Sequence, residues 1–333
     1  MTAIPFWDTE LHAGLQPVDL TRHIGGIADL IELSFAADMD AGGRSVIREM
    51  RFVSHLGWAL PVLNGLGLAQ YPWLQGFVWV EEGKVVGCVN TQPAANQAAT
   101  WLIANVAVHP RFRRQGIALA MMKATLDLIR RRGGTTALLQ VDDDNVAAVQ
   151  LYDRMGFRRV ATRTAWFRPA SVPLPEWPPT DLEIRRRRPH EWAEEMTLAQ
   201  RVRPEGFLWN QALRAADFHP SLSLALERWL AAQTEEHWVA EDPLSHRWAG
   251  SLIVRINYPD GDRLILCAHP DYQGRVEKPL LAEGLHRVAQ RPWLTRIEHP
   301  TEDAAADKVL REYRFEPGRI LRWLSLTLRQ AGP

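Results

Sequence analysis

The feature that most constrains the fold is an internal repeat, in which two segments of the first half return in the second half. Val108-His-Pro-Arg-Phe112 returns as Ala268-His-Pro-Asp-Tyr272, and each copy follows an apolar, strand-like run. Leu151-Tyr-Asp-Arg-Met-Gly-Phe157 returns as Val309-Leu-Arg-Glu-Tyr-Arg-Phe315. The offset between the copies is nearly the same at both places. The chain is therefore predicted to be a tandem duplication of one α/β unit rather than two unrelated domains.

The length of 333 residues exceeds one ordinary domain and fits two. The segment Pro169–Thr180 contains five prolines and no glycine, which predicts a stiff surface linker. We therefore expect a first domain at residues 1–169, a linker at 170–180 and a second domain at 181–333.

Composition narrows the choice of partners and compartment. Lys+Arg and Asp+Glu both total 39, so neither nucleic acid nor an anionic membrane is an expected partner. The N-terminus has no signal-peptide pattern, and the apolar stretch 57–71 is short and broken by proline and glycine, which favours a lid or buried loop over a membrane span. Cys88 and Cys267 lie in separate apolar runs and are predicted to be core residues, not a disulfide or metal set. These features are typical of a cytoplasmic protein, and the sequence contains no signal for its oligomeric state.

Hydrophobic periodicity predicts the elements of the first half. A hairpin is expected over 77–89 with its turn at Glu82-Gly83, followed by a central strand at 100–108. A helix over 117–132, with Ile117, Met121, Ala124 and Leu128 on one face, should end at Gly133-Gly134. A buried strand at 137–141, a short helix at 145–155 and a strand pair at 157–167 complete the half.

A basic loop, Arg113-Arg-Gln-Gly116-Ile-Ala118, lies between that central strand and the long helix. The first N–H groups of a helix have no intrahelical acceptor and carry partial positive charge, so this position suits a pyrophosphate. Gly116 would let the backbone approach the phosphate oxygens. Such loops are common, and this one alone is a weak signal.

The short helix that follows provides the second signal. Asn145 is placed to cap this helix, and Tyr152 lies seven residues on, on the same face. The alternative, a plain N-cap and a plain core tyrosine, would be preferred if this segment stood alone. The ordered combination of strand, basic glycine loop, helix, strand, Asn, and Leu-Tyr before Gly-Phe resembles the GNAT acyltransferase superfamily. The resemblance is strongest over residues 77–168.

The resemblance implies a fold class and a cofactor. The expected fold is α/β (α+β), with a mixed central sheet flanked by helices in each half, in the manner of tandem acyl-CoA N-acyltransferase folds. In this family the loop holds the pyrophosphate of acetyl-CoA, and the pantetheine arm pairs with the preceding strand, where a bulge aims a backbone N–H at the thioester oxygen. The residues implied to contact the cofactor are Val106, Ala107, Val108, Arg113, Arg114, Gln115, Gly116, Ile117, Ala118, Asn145 and Tyr152.

The catalytic residues are only partly implied. Tyr152 is a candidate general acid for the leaving thiolate. The strands that carry a glutamate base in some relatives have Leu102, Asn105 and Gln140 here. Asp142, Asp143 and Asp144 form either a solvated helix N-terminus, which is favoured, or a base. Asp38 and Asp40 are equally open, and His109 is predicted to be structural.

The second half is expected to keep the fold and lose the cofactor. Val276, Glu277 and Lys278 stand where the loop of the first half has Gly116, Ile117 and Ala118. Asp303 stands at the position of Asn145, and Leu310 at that of Tyr152. The sequence therefore predicts an acetyl-CoA-dependent N-acetyltransferase whose first half transfers acetyl to a primary amine of a small molecule or peptide, without a metal. The alternative is a non-catalytic acyl-CoA-binding or regulatory module.

Overall fold

The structure, a computed structural model, describes residues 13–36, 41–55, 75–94, 97–202, 218, 233–258, 261–289 and 291–328. The strands are β1 Gly14–Pro17, β2 Gly76–Glu81, β3 Lys84–Ala94, β4 Gln97–Val108, β5 Thr136–Asp142, β6 Arg158–Arg168, β7 Glu183–Arg186, β8 Thr234–Glu241, β9 Trp248–Tyr258, β10 Gly261–Ala268, β11 Thr295–Pro300 and β12 Glu316–Thr327. The helices are α1 Leu20–Phe35, α2 Ala41–His55, α3 Ile117–Arg131, α4 Val146–Arg154, α5 Trp192–Val202, α6 Glu277–Arg287 and α7 Ala304–Glu312.

The chain divides into two compact units. The first comprises Met1–Gln140 and Ser325–Pro333, and the second Val141–Leu324. The predicted α/β class with mixed sheets and flanking helices is confirmed. The sequence boundaries at 169 and 181 concern the repeats and stay a prediction. The compact units divide elsewhere because β6, the last strand of the first repeat, pairs with β11 of the second repeat.

The sheet of the first unit has the order β1-β2-β3-β4-β5. Its pairs are antiparallel except β4 and β5, which are parallel. The predicted hairpin is confirmed, with its turn at Glu82 and Gly83, both at positive φ, as a two-residue type I′ turn requires. Apolar side chains of α1 and α2 pack with β2 and β3 residues in one core.

The predicted helix α3 begins after Gly116 and ends where Gly133, at φ 78°, turns the chain out of the helix. The Gly133 and Gly134 N–H groups donate to the carbonyls of Arg130 and Ile129, which satisfies the last turn. Of the four residues predicted to share one face, Ile117 and Met121 are buried and Ala124 and Leu128 are half-buried. The other buried residues of the helix are Met122, Thr125, Leu126 and Ile129.

The sheet of the second unit has the order β12-β6-β11-β10-β9-β8-β7. The pair β10–β11 is parallel, and β6–β11, β9–β10, β8–β9 and β7–β8 are antiparallel. The expected strand pair at 157–167 is wrong, because β6 is one continuous strand that pairs with β11 along six residues, from Arg163 to Arg168. Large apolar cores lie on the two faces of the β9–β10 region.

The two repeats build the same local structures. His109 and His269 each accept a hydrogen bond at Nδ1 from the N–H two residues on, and each meets the following aromatic ring edge-on. Asn145 and Asp303 each cap the next helix by accepting from the N–H three residues on. The structural role predicted for His109 is thus visible in both copies.

Other parts of the chain bear on the sequence predictions. The segment 169–180 has no helix or strand, and its Trp177 ring stacks on His286 of α6 at 4.2 Å. Both cysteines are buried with free thiols, as predicted for core residues. Across the described residues, no helix is long and apolar enough to cross a membrane. The stretch 57–71 and the residues Asp38 and Asp40 lie outside the described residues.

Candidate functional site

Strand β4 contains a bulge two-thirds of the way along its length. Asn90 of β3 faces Ala104 and Cys88 faces Ala107, so two residues of β4 lie opposite one residue of β3. Asn105, within the bulge, has φ 53°. Its carbonyl accepts the Cys88 thiol at 3.2 Å, and burial raises the pKa of that thiol to about 12. The bulge is therefore held from the β3 side.

Beyond the bulge, the β4 edge that faces β5 has no strand partner among the described residues. Its pairing with β5 ends at Ile103 and Leu139. The His109 N–H donates to Val86 on β3, and backbone groups alternate in direction along a strand, so the N–H and C=O groups of Val106 and Val108 point away from β3. The Ala107 side chain lies in the α1–α2 core. This edge has the geometry that strand-like pairing with an extended ligand requires.

The loop after β4 is exposed and closes back on the strand. The Arg113 Nε donates to the Val108 carbonyl at 3.0 Å, and Arg114 and Gly116 have φ of 63° and 81°. A Cβ at Gly116 would meet no atom within 4 Å, so open space lies beside this residue. Ile117 buries its side chain, which leaves only its backbone for a ligand, while Ala118 is half-buried and Gln115 exposed.

The backbone N–H groups of this loop and of the first turn of α3 are available to a ligand. The first intrahelical bond runs from the Ala120 N–H to the Gly116 carbonyl. The N–H groups from Arg114 to Leu119 have no acceptor within the part of the chain that the structure describes. A row of such donors at the positive end of a helix dipole is a binding site for a phosphate-like anion.

The other predicted site residues belong to the second unit. Asn145 uses its side-chain oxygen to accept the Ala148 N–H at 3.2 Å and is exposed. Tyr152 is buried and meets Phe157 edge-on at 5.8 Å. Burial raises the pKa of the Tyr152 phenol, so the hydroxyl keeps its proton at neutral pH and remains a hydrogen-bond donor.

The aspartates before α4 form ion pairs that the sequence did not indicate. Both oxygens of Asp142 accept from Arg319 of β12, at 2.8 and 2.7 Å. Asp143 pairs with Arg322 on the same strand, and Asp144 is exposed. The partners are more than 170 residues away in the chain, which is why local patterns did not reveal them. These contacts favour the structural interpretation of Asp142 and Asp143 over a role as base.

The corresponding loop of the second repeat has a different backbone. Gly274, like Arg114, has positive φ, but Val276 has φ −93° where Gly116 has 81°. The Gly274 N–H donates to the Glu277 carboxyl at 2.8 Å, and the Arg275 and Val276 N–H groups donate to the Tyr272 carbonyl. Glu277 is fully buried, and burial raises its pKa. The donors that are available in the first loop are used internally in the second.

No group of three or more His, Cys, Asp or Glu side chains suited to a metal ion occurs among the described residues. Within the described residues, the first unit has backbone donors without acceptors and the β4 edge, and the second unit has the buried Tyr152 phenol. Backbone donors next to a bulged strand are the geometry expected of a class of protein that binds an extended ligand with a phosphate group.

Comparison with known proteins identifies this class. Residues 51–157 match the model of the acetyltransferase (GNAT) family. Two solved structures share the fold over nearly the whole chain. One is a tandem GNAT protein from the clavulanic acid biosynthesis pathway, with a TM-score of 0.57 and 17% identity over 96% of this chain and 98% of that one. The other is a GCN5-related N-acetyltransferase from Sphaerobacter thermophilus, with a TM-score of 0.61 and 15% identity over 98% of each chain. The chain therefore resembles the GNAT family in sequence over residues 51–157 and shares the fold of these two solved structures.

Curated relatives match in two ways. The ribosomal protein bS18-alanine N-acetyltransferase of Escherichia coli K12 is 31% identical over 91 residues, which are 27% of this chain and 60% of that protein. Mycothiol acetyltransferase of Mycobacterium sp. strain JLS is 27% identical over 257 residues, 72% of this chain and 79% of that protein. The first match spans less than two thirds of the relative, whereas the second is long enough to involve both repeats.

Proposed function

We propose that the protein is an acetyl-CoA-dependent N-acetyltransferase that transfers acetyl to a primary amine of a small molecule or peptide. The observation that carries this proposal is the row of N–H groups from Arg114 to Leu119 without acceptors in the described chain, beside the open space at Gly116. These donors fit a pyrophosphate, and the open edge at Val106 and Val108 fits the amide groups of a pantetheine arm.

Each group of residues has a separate task in the proposed reaction. Acetyl-CoA, when bound, supplies an acetyl group activated as a thioester. The amine attacks the acetyl carbonyl carbon, a C–N bond forms, the C–S bond breaks and CoA leaves as the thiolate. A backbone N–H at the Asn105 bulge stabilises charge on the carbonyl oxygen. Tyr152 donates its phenolic hydrogen to the leaving sulfur. Asn145 is proposed to contact the cofactor while it caps α4.

The acceptor amine must lose a proton before it can attack. An alkylammonium with a pKa of about 10.4 is neutral in roughly one molecule in 10³ at pH 7, a cost of about 4–5 kcal/mol. Since Asp142 and Asp143 are held by arginines, we propose that a water molecule relays this proton to solvent or that the acceptor itself has a lowered pKa.

The mycothiol acetyltransferase match favours a small-molecule acceptor, because that relative aligns over a length that involves both repeats. The bS18-alanine N-acetyltransferase match favours a peptide or protein N-terminus, since it covers a single domain. Because the mycothiol acetyltransferase match is the longer one, we propose a small-molecule amine as the preferred acceptor.

The test combines binding and turnover with the full chain. Isothermal titration with acetyl-CoA should show binding, and turnover over a panel of small amines and N-terminal peptides should give an acetylated product by mass spectrometry. Absence of acetyl-CoA binding would overturn the proposal. Binding with only hydrolysis-level rates for every amine would instead support a non-catalytic acyl-CoA-binding module.

A further inference from the structure

The second repeat has a gap in its sheet where β10 and β11 separate. The two strands pair only over Asp262–Leu264 and Thr295–Ile297. Beyond these residues β10 stays paired with β9 as far as Ala268, and β11 stays paired with β6 as far as Pro300. A cavity of about 130 Å³ occupies this gap.

The backbone of β10 faces this gap with hydrogen-bonding groups. The Cys267 carbonyl lies on the β9 side, 2.8 Å from where a Cβ on Gly250 would be, and the His269 N–H donates to Ala249 of β9. Because backbone groups alternate in direction along a strand, the N–H and C=O groups of Leu266 and Ala268 face the cavity. A ligand in the gap therefore meets both donors and acceptors.

Two carboxylates of the β11 region line the cavity. Asp303 accepts the His299 imidazole at 2.7 Å and also caps α7. Burial opposes ionisation of Asp303, but the hydrogen bond from His299 and the N–H groups of α7 outweigh burial and lower its pKa. Glu298 forms an ion pair with the buried Arg163 at 2.5 Å. Each carboxylate already has one partner, Arg163 or His299, and keeps further oxygen acceptor sites for a ligand.

A cation lines the same cavity. Arg201, on the last turn of α5, is exposed, and its guanidinium has no hydrogen bond or ion pair with any residue that the structure describes. Gln273 adds a polar amide. An exposed guanidinium retains its charge and can pair with a carboxylate in a bidentate manner.

We propose that this cavity binds a free amino acid, with the ligand carboxylate on Arg201 and the ligand ammonium facing Asp303 and Glu298. A cavity of about 130 Å³ has room for a small ligand of this kind. A ligand with both an ammonium and a carboxylate can use the remaining acceptor sites of Asp303 and Glu298 together with the donors of Arg201. The backbone groups of Leu266 and Ala268 complete the coordination of both ends of a zwitterion.

The first test measures binding of each of the twenty standard amino acids to the full chain by thermal shift and by isothermal titration. At least one amino acid should raise Tm and bind with a dissociation constant in the micromolar to millimolar range. The corresponding amine without the carboxylate, and the corresponding acid without the ammonium, should each bind at least tenfold more weakly. Absence of binding by all twenty at millimolar concentration overturns the proposal, and so does equal binding of the amine or of the acid.

Variants locate the site. Arg201→Gln, an exposed change, should weaken the amino acid at least tenfold, and Asp303→Asn, which keeps the helix cap, should do the same. Arg311→Gln is the matched control, because this exposed arginine lies on α7 and pairs with Asp307 away from the cavity lining. Unchanged affinity in Arg201→Gln and Asp303→Asn would overturn the assignment.

The site is independent of the proposed acetyl-CoA site. Gly116→Val should weaken acetyl-CoA binding about 100-fold and leave amino-acid affinity unchanged. Displacement of the amino acid by acetyl-CoA would show that both use one site and would overturn the inference. Failure of acetyl-CoA binding in the wild type, with amino-acid binding intact, would overturn the proposed function alone.

Discussion

The loops after β4 and β10 occupy equivalent positions in the two repeats but use their backbone donors in opposite ways. In the first loop the N–H groups from Arg114 to Leu119 have no acceptor among the described residues. In the second, the Glu277 carboxyl and the Tyr272 carbonyl accept those of Gly274, Arg275 and Val276. The surrounding strand, 3₁₀ turn and helix are retained. An anion site is thus lost through backbone satisfaction, while the fold stays intact.

The side chains change in the same direction. Gly116 leaves open space, while Val276 is fully buried at the equivalent position. Ile117 is an apolar core residue, while its counterpart Glu277 is a buried carboxyl that hydrogen-bonds the loop. A carboxylate already on the donors would also repel a phosphate. The difference supports the proposal that acetyl-CoA binds to the first repeat.

The largest effect should come from placing the valine of the second loop, Val276, at the equivalent position of the first loop, Gly116. Gly116→Val adds a β-branched side chain beside the donors at φ 81° and should weaken acetyl-CoA about 100-fold, or about 2.7 kcal/mol. Isothermal titration measures this. Gly133→Val is the matched control, because Gly133 has φ 78° and equally open space at the other end of α3. Gly133→Val should lower Tm by about as much as Gly116→Val does, without changing acetyl-CoA affinity. If both variants lost the same affinity, the proposed contact of acetyl-CoA with Gly116 would be contradicted.

The second effect concerns the two buried tyrosines. Tyr152→Phe should lower kcat about 10- to 100-fold with little change in acetyl-CoA affinity, because it removes a donor to the leaving thiolate. Tyr313→Phe is the control: Tyr313 is also buried, but its hydroxyl donates to the Lys278 carbonyl at 3.2 Å. This control should affect stability alone. An unchanged kcat in Tyr152→Phe, with chemistry rate-limiting, would exclude Tyr152 from the reaction.

A smaller effect should separate structural from catalytic acids in the first repeat. Asp142→Asn removes the charge from a bidentate, partly buried pair with Arg319 and should lower the free energy of unfolding by about 1–2 kcal/mol. The pH profile of kcat/KM should keep its shape. Asp144→Asn, at an exposed aspartate of the same loop, should change neither quantity. Loss of the acidic limb of the profile in Asp142→Asn would instead assign the base to Asp142.

The smallest effect is a difference in pH dependence between two buried histidines. Burial lowers the pKa of His23 in the first unit, so its contribution to stability falls as pH drops below about 6.5. Burial also opposes protonation of His237 in the second unit, but hydrogen bonds to Glu195 and Glu235 outweigh it and raise the pKa. The His237 contribution is complete below about pH 6.5 and is lost as pH rises through the folded pKa.

Replacing each histidine by glutamine should remove that histidine's contribution to the slope of the free energy of unfolding against pH. Each contributes about 1.4 kcal/mol per unit of pKa difference between the folded and unfolded chain. Chemical denaturation between pH 5 and pH 9, roughly the range in which histidine titrates, measures both slopes. Slopes of the same sign for the two variants would contradict the described environments.

Local signals in the sequence were sufficient for several elements. The Glu82-Gly83 turn, the end of α3 at Gly133 and the Asn145 cap each depend on a few neighbouring residues, and each was predicted correctly. The motif also located the loop at Gly116 through a family resemblance. Which residues contact the cofactor stays a prediction.

The remainder depends on contacts between distant residues. Pairing of β6 with β11, and of Asp142 with Arg319 across 177 positions, leaves no local pattern. The hydrogen bond from the Gly274 N–H of the second loop to the Glu277 carboxyl also leaves no local pattern, because it depends on the orientation of the Glu277 side chain. The sequence showed that the loop after β10 differs in its residues from the loop after β4. The backbone geometry shows that its N–H groups are used in internal hydrogen bonds.

The β6–β11 pairing has a consequence for synthesis. Thr164 on β6 bonds to Thr301, 137 residues later. At about 5–20 residues per second, a ribosome needs roughly 7–27 s to supply that partner. During this interval the first repeat carries an unpaired strand edge, which invites association with other nascent chains. Truncation of the chain at the proline-rich segment would make that exposure permanent, because β6 depends on β11 of the second repeat for this pairing.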